Sequence, residues 1–226
     1  MTDNAHRYAL NFKGVAYRTR WVEFPDVEET RKKLCPTPSR YHADGSPYYT
    51  LPVIKDDTTG EIVGDTFEIA LYLDKTYPDA PTLMPPGTTG LMASFNVQMD
   101  ALFPQFVQLC IDNFPLNPAN AQESKAIFEA RFGGMKWDDL KLKEEDRPPT
   151  LQKFKEALTG LAKAYKQKDG PFLEGESVSY ADIIVGGWLQ MFKATVKSSE
   201  WEQITSWHDG LCRKIHDGLQ KYADVK

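Results

Sequence analysis

The stretch from Thr50 to Tyr77 most narrows what this chain can fold into. A strand, a tight turn, a return strand and a helix follow one another there with almost no slack. Tyr48 to Ile54 is the first strand, Asp56-Asp57-Thr58-Thr59-Gly60 a hairpin turn, and Glu61-Ile62-Val63 the return. Gly64-Asp65-Thr66 then opens a helix whose apolar side is Phe67, Ile69, Ala70, Leu71, Leu73 and Tyr77. Pro52 would cost a central strand one ladder hydrogen bond, so it marks an edge or a strand start. Either its peptide bond is trans, or a cis bond turns the Leu51 backbone outward toward an extended ligand. Asp65-Thr66 leaves a similar choice. It is an ordinary helix cap, or the Thr66 N–H and hydroxyl hold a ligand carboxylate while Asp65 pairs with an ammonium.

The texture of the chain changes after this stretch. Upstream, Asn4 to Lys13 reads as a helix, Tyr17 to Phe24 as a strand, and Val27 to Leu34 as a charged helix stopped by Pro36 and Pro38. Ser39 to Pro47 is polar, with a turn at Asp44-Gly45. Pro78 to Gly87 is dense in proline and reads as a semi-rigid linker. Beyond it only helices are expected: Thr88 to Asn113, bent at Pro104; Ala119 to Phe132; Pro149 to Lys168; Ser179 to Thr195; and Ser198 to Tyr222. Lys136 to Asp146 reads as a mixed-charge surface segment. Ser179 and Asp182 have capping-box spacing, which is structural work. The expected organisation is α+β, with a small domain over residues 1–79 and an all-helical domain over 88–226.

Composition removes several function classes. A net charge of -5 argues against a broad nucleic-acid or anionic-membrane surface, and no apolar run is long enough to span a bilayer. No signal peptide is visible at Met1 to Arg7. Cys35, Cys110 and Cys212 are scattered, which suits free thiols in a reducing, cytoplasmic setting. His6, His42, His208 and His216 lack metal-ligand spacing, so no metal is expected.

Taken in order, Leu51-Pro52-Val53-Ile54, Asp65-Thr66, the proline linker and Ser179-Tyr180-Ala181-Asp182 resemble a cytosolic glutathione transferase along essentially the whole chain. Arg7 to Gly14, Asp44 to Ile54 and Tyr72 to Pro78 narrow the resemblance to the etherase-like enzymes of wood-degrading fungi. The resemblance implies a thioredoxin-like N-terminal domain, a helical C-terminal domain and a homodimer. It implies glutathione as co-substrate, conjugated to a small apolar or aromatic electrophile or used to cleave an ether. Pro52 would be the cis-proline, Leu51 would bind the cysteinyl backbone, and Asp65 with Thr66 the γ-glutamyl end. Arg40, Tyr41 or His42 would reach the glycyl carboxylate. Met99, Phe103, Phe106, Trp188 and Met191 would border the second-substrate pocket.

One departure bears on chemistry. The resembled enzymes place a strand, and a loop whose residue faces the glutathione sulfur, ahead of the position held by Arg7, where six residues stand. The expected fold therefore lacks its first strand, and the catalytic residue stays unassigned, with Thr2 and Asn4 the nearest polar groups. A free thiol has a pKa of about 8.5, so a donor or helix N-terminus is needed to hold the nucleophilic thiolate near neutrality. Two alternatives thus stand beside the transferase: a protein that binds glutathione or an aromatic ligand without turnover, and a scaffold running glutathione-independent chemistry.

Overall fold

The structure is a computed structural model that describes residues 4–35, 37–41 and 45–226. Its first part carries α1 (Ala5–Phe12), α2 (Val27–Leu34) and four short strands, β1 (Arg40–Tyr41), β2 (Pro47–Tyr48), β3 (Val53–Lys55) and β4 (Ile62–Gly64), followed by α3 (Thr66–Thr76). The second part is α4 (Thr89–Leu102), α5 (Ala121–Arg131), α6 (Trp137–Leu140), α7 (Arg147–Ala157), α8 (Thr159–Tyr165), α9 (Tyr180–Thr195) and α10 (Ser198–Leu219). A 3-10 stretch, Phe103–Asn113, continues α4 with Pro104 in its first turn, where proline's missing N–H costs nothing.

The strands form two separate antiparallel ladders. β1 pairs with β2, and β3 pairs with β4 in the register Val53 to Gly64, Ile54 to Val63 and Lys55 to Ile62. The expected strand over Tyr17 to Phe24 is not found, and this is a correction: residues 15–23 join no ladder. Instead the Thr19 N–H donates to the Lys226 carbonyl at 2.7 Å and the Tyr17 hydroxyl to the Asp224 carbonyl at 2.9 Å. β-branched and aromatic residues favour a pleated surface only where a neighbouring strand supplies one. The expected turn at Asp44 lies outside the described residues.

α9 is the spine. Tyr180 to Val185, Leu189, Met191 and Phe192 are all buried, and α1, α4 and α10 pack around it. Gly187 lets α1 approach: a Cβ there would stand 3.0 Å from both the Ala5 nitrogen and its Cβ. The first turn of α1 is thereby pinned against the middle of α9. Ser179 starts α9 with the expected capping box, the Asp182 carboxylate accepting from the Ser179 N–H at 2.8 Å and from its hydroxyl at 2.9 Å.

Lys136 to Asp146 also differs from its surface reading. Trp137 and Leu140 are 6% and 1% exposed and close a satellite core with Ile111 and Phe128, beneath the charged residues around them. A short amphipathic turn hides two apolar side chains more easily than charge content suggests.

Candidate functional site

A cleft of about 250 Å³ opens where the two parts meet. Arg40, Tyr48, Thr50, Leu51, Pro52, Asp65 and Thr66 form one wall; Asn96, Asp100, Ile184, Gly187 and Trp188 form the other. Four residues singled out above for ligand binding, Leu51, Pro52, Asp65 and Thr66, therefore converge on one space, and Trp188 faces them.

The β3–β4 hairpin and the start of α3 build the polar wall. The Leu51-Pro52 peptide bond is cis. Among the described residues the Leu51 N–H and C=O have no hydrogen-bond partner, which leaves a donor and an acceptor for an extended chain. Asp65 holds φ 73° and ψ 143°, a backbone region that a residue with a Cβ enters at a cost of about 1–3 kcal/mol. Its N–H donates to the Pro52 carbonyl at 3.1 Å, and its carbonyl accepts from the Ile69 N–H at 2.9 Å, so both neighbours enforce that conformation. Its carboxylate makes no capping hydrogen bond to α3 and no ion pair among the described residues, so the ordinary cap is not how Asp65 is used. Thr66, 4% exposed, begins the helix beside it, at the electropositive end of α3.

Charges of both signs line the space. Arg40 stacks on Tyr48 with its guanidinium 5.8 Å from the ring centre. Across from it, Asp100 accepts from the Asn96 amide at 3.0 Å, and Asn96 in turn accepts from the buried Tyr180 hydroxyl at 2.7 Å. Arg40 and Asp65 on one wall and Asp100 on the other suit a small zwitterionic peptide: its carboxylates meet Arg40 and the helix N-terminus, its ammonium meets Asp65 or Asp100. Trp188 and Ile184 add an apolar patch, with Trp188 stacked on Phe103 at 5.6 Å.

Several expected pocket residues sit elsewhere. Met99, Phe103 and Phe106 are 4%, 0% and 6% exposed and face the main core instead of the cleft, as does Met191 at 3%. Helical spacing identified an apolar face but not which of two neighbours it meets. Tyr41 is 67% exposed and does not line the cleft. His42 and Thr2 lie outside the described residues. Asn4 precedes α1 and accepts a hydrogen bond from Arg7. Tyr8, the phenol on α1, is buried and turned toward Gln190 at 3.4 Å; burial pushes its hydroxyl above the usual tyrosine range. No cluster among the described residues has the makings of a metal site. Asn96, Asp100, Ile184 and Gly187 were not foreseen. For Gly187 a signal existed, since paired glycines inside an apolar helix mark a close approach of another backbone.

The chain is similar to known proteins along nearly its whole length. Residues 6–76 match the family described as glutathione S-transferase, N-terminal domain, and residues 92–222 match glutathione S-transferase, C-terminal domain. A glutathione S-transferase of Ceriporiopsis subvermispora, solved in complex with glutathione, is 36% identical with a TM-score of 0.89, covering 98% of this chain and 90% of that one. Glutathione transferase GSTFuA2 of Phanerochaete chrysosporium is 29% identical with a TM-score of 0.86 and the same coverage. The glutathione S-transferase-like protein ustS of Aspergillus flavus is 27% identical over 95% of this chain and 81% of its own length. With both halves matched in order along one thioredoxin-like and helical fold, the chain belongs to the glutathione S-transferase family.

Proposed function

We propose that this protein binds glutathione in the cleft and delivers its thiolate to a small apolar or aromatic electrophile. The observation that carries the reading is the conformation of Asp65, a strained acidic residue whose carboxylate stands unused beside Thr66 and the open backbone of Leu51. Such strain persists at sites where a ligand gains from it. In this reading the Leu51 N–H and C=O pair with the cysteinyl backbone of glutathione. Asp65 and Thr66 hold the γ-glutamyl ammonium and carboxylate, and Arg40 takes the glycyl carboxylate. The apolar patch of Ile184 and Trp188 receives the electrophile.

The thiolate then needs stabilising. In this reading the N-terminal partial charge of α1, whose first turn packs against the cleft-lining Gly187, favours the ionised form. No side chain is assigned that role.

The partner is a second copy of the chain. Gly90, Leu91, Ser94, Val97, Gln98 and Ala101 form an exposed, uncharged stripe along α4, with Leu91 and Val97 71% and 67% exposed. Burying such a stripe against its own copy is a self-complementary solution. Cys110 and Cys212, whose thiols burial pushes up to about 11 and about 12, are free, in keeping with a reducing cytoplasmic location.

Turnover of a chlorodinitrobenzene with glutathione tests the reading. Activity that falls at least about tenfold in Thr66→Ala supports it. Saturable binding with no turnover would leave a glutathione-holding protein, and no binding would remove the reading. Sedimentation of a Leu91→Glu/Val97→Glu variant tests the partner: a dimer that becomes a folded monomer is expected.

A further inference from the structure

Arg31 on α2 is 4% exposed, yet among the described residues no carboxylate lies within ion-pair distance of it and its Nε has no partner. Its Nη1 donates to the Cys35 carbonyl at 3.0 Å. That carbonyl belongs to the C-terminal end of α2, where a helix offers roughly half a negative charge. A guanidinium keeps its proton, so a substantial part of this buried charge stands without a counter-charge.

The guanidinium is held next to the polar wall of the cleft. A Cβ on Gly64 would stand 2.6 Å from Nη2, 3.0 Å from Cζ and 3.3 Å from Nε, so the group packs on the glycine itself. Gly64 ends β4, where it pairs with Val53. The next residue, Asp65, donates its N–H to the Pro52 carbonyl, and Thr66 opens α3. Arg31 does not line the cleft, but Asp65 and Thr66, one and two residues beyond Gly64, do. A buried charge that no neighbour cancels acts over a longer distance than a charge in water.

We propose that Arg31 is a positioning residue that sets the polarity of the amino-acid head group bound in the cleft. Its charge adds to the N-terminal field of α3 and draws the γ-glutamyl carboxylate to Thr66, which leaves the ammonium for Asp65 or Asp100. The ligand thus supplies, through space, the counter-charge that the fold lacks. Arg31 touches no ligand atom, and the proposal rests on the glutathione reading above. It also carries a signature that ordinary packing does not share: an arginine kept for a ligand weakens the empty protein.

The test uses the full chain with Arg31→Gln, which keeps a donor for the Cys35 carbonyl but removes the charge, and with Arg31→Lys, which keeps the charge. Titration calorimetry compares glutathione with two analogues, γ-aminobutyryl-cysteinylglycine, which lacks the α-carboxylate, and glutaryl-cysteinylglycine, which lacks the ammonium. Arg31→Gln should bind glutathione and the glutaryl analogue about tenfold more weakly than the native chain does, and the aminobutyryl analogue no more weakly. Arg31→Lys should recover most of the loss. Without ligand, Arg31→Gln should melt no lower than the native chain. Equal losses for all three ligands, no loss for glutathione, or a variant that melts lower or does not fold would mean a structural arginine and overturn the proposal, leaving the glutathione reading intact. A native chain that binds no glutathione would remove that reading, and the proposal with it.

Discussion

Two buried arginines show how differently the two parts of this molecule are built. Arg147, 2% exposed, is paired through all three of its nitrogens. Its Nε and Nη2 reach the two Glu200 oxygens at 2.6 Å each, Nη1 reaches Asp112 at 2.8 Å, and Nη2 also reaches the Leu109 carbonyl at 2.9 Å. It ties α7, α10 and the 3-10 stretch after α4 into one body. Arg31, just as deeply buried, has a single carbonyl partner and an orphan Nε. In the same N-terminal part lie the open Leu51 backbone and the strained Asp65. The helical part spends this arginine on its own structure, although it too holds an unpartnered Tyr165 hydroxyl and strained backbone at His208 and Asp209. The strand-bearing part is distinct in placing its open and strained groups, Leu51 and Asp65, on the cleft itself. Unsatisfied or strained groups are costly, so the two that line the cleft, Leu51 and Asp65, mark that wall as a working surface.

That contrast can be broken at its strong end. Arg147→Met leaves the Glu200 carboxylate buried without its cation, so chemical denaturation should show a loss of about 3–5 kcal/mol. A change under about 1 kcal/mol would mean that Glu200 finds water and that the helical part is not locked by this cluster.

The strained end predicts a gain. Asp65→Gly removes the Cβ that makes φ 73° unfavourable. Relief of strain, less the backbone entropy that glycine loses on folding, should raise stability by about 1 kcal/mol. Glutathione affinity should fall in the same variant, since the carboxylate is gone. Stability that falls instead would show that Asp65 makes a contribution to the fold outweighing its strain.

The smallest effect concerns the hairpin that carries the cleft wall. Asp56 accepts from the Tyr77 and Tyr72 hydroxyls at 2.6 and 2.8 Å, and these bonds hold its carboxyl at about 2, below the ordinary 3.8. A depressed folded value means that the stabilisation is complete above the ordinary carboxyl range and is lost as pH falls from about 3.8 through about 2. Acid titration of unfolding should show a step in that window that Asp56→Asn lacks.

Much of this was legible in local sequence. The α2 boundaries, the β3–β4 hairpin, the start of α3 at Thr66 and the capping box at Ser179 all rest on neighbours within a few residues, where turn and cap chemistry operates. Leu51, Pro52, Asp65 and Thr66 could be picked out for the same reason. What escaped was long-range. Tyr17 to Phe24 has the residues of a strand, but a strand exists only with a partner. Arg31 meets Gly64 across more than thirty positions, and nothing in either residue announces the other. Met99 and Phe103 lie on an apolar helix face that could have met ligand or core, and packing against α9 decided for the core. The unused state of the Asp65 carboxylate was equally hidden, since Asp before a helix ordinarily caps it.

The measurement that tests the account most directly is thermal unfolding under a glutathione titration, for the native chain and for Thr66→Ala. At about 100 times Kd, binding to the folded state alone adds about 2.7 kcal/mol, a rise of roughly 5–11 °C for a chain of this size. The account predicts a saturable rise of that order, displaced to at least about tenfold higher glutathione in Thr66→Ala. No rise at millimolar glutathione, or an identical titration in the variant, would contradict it.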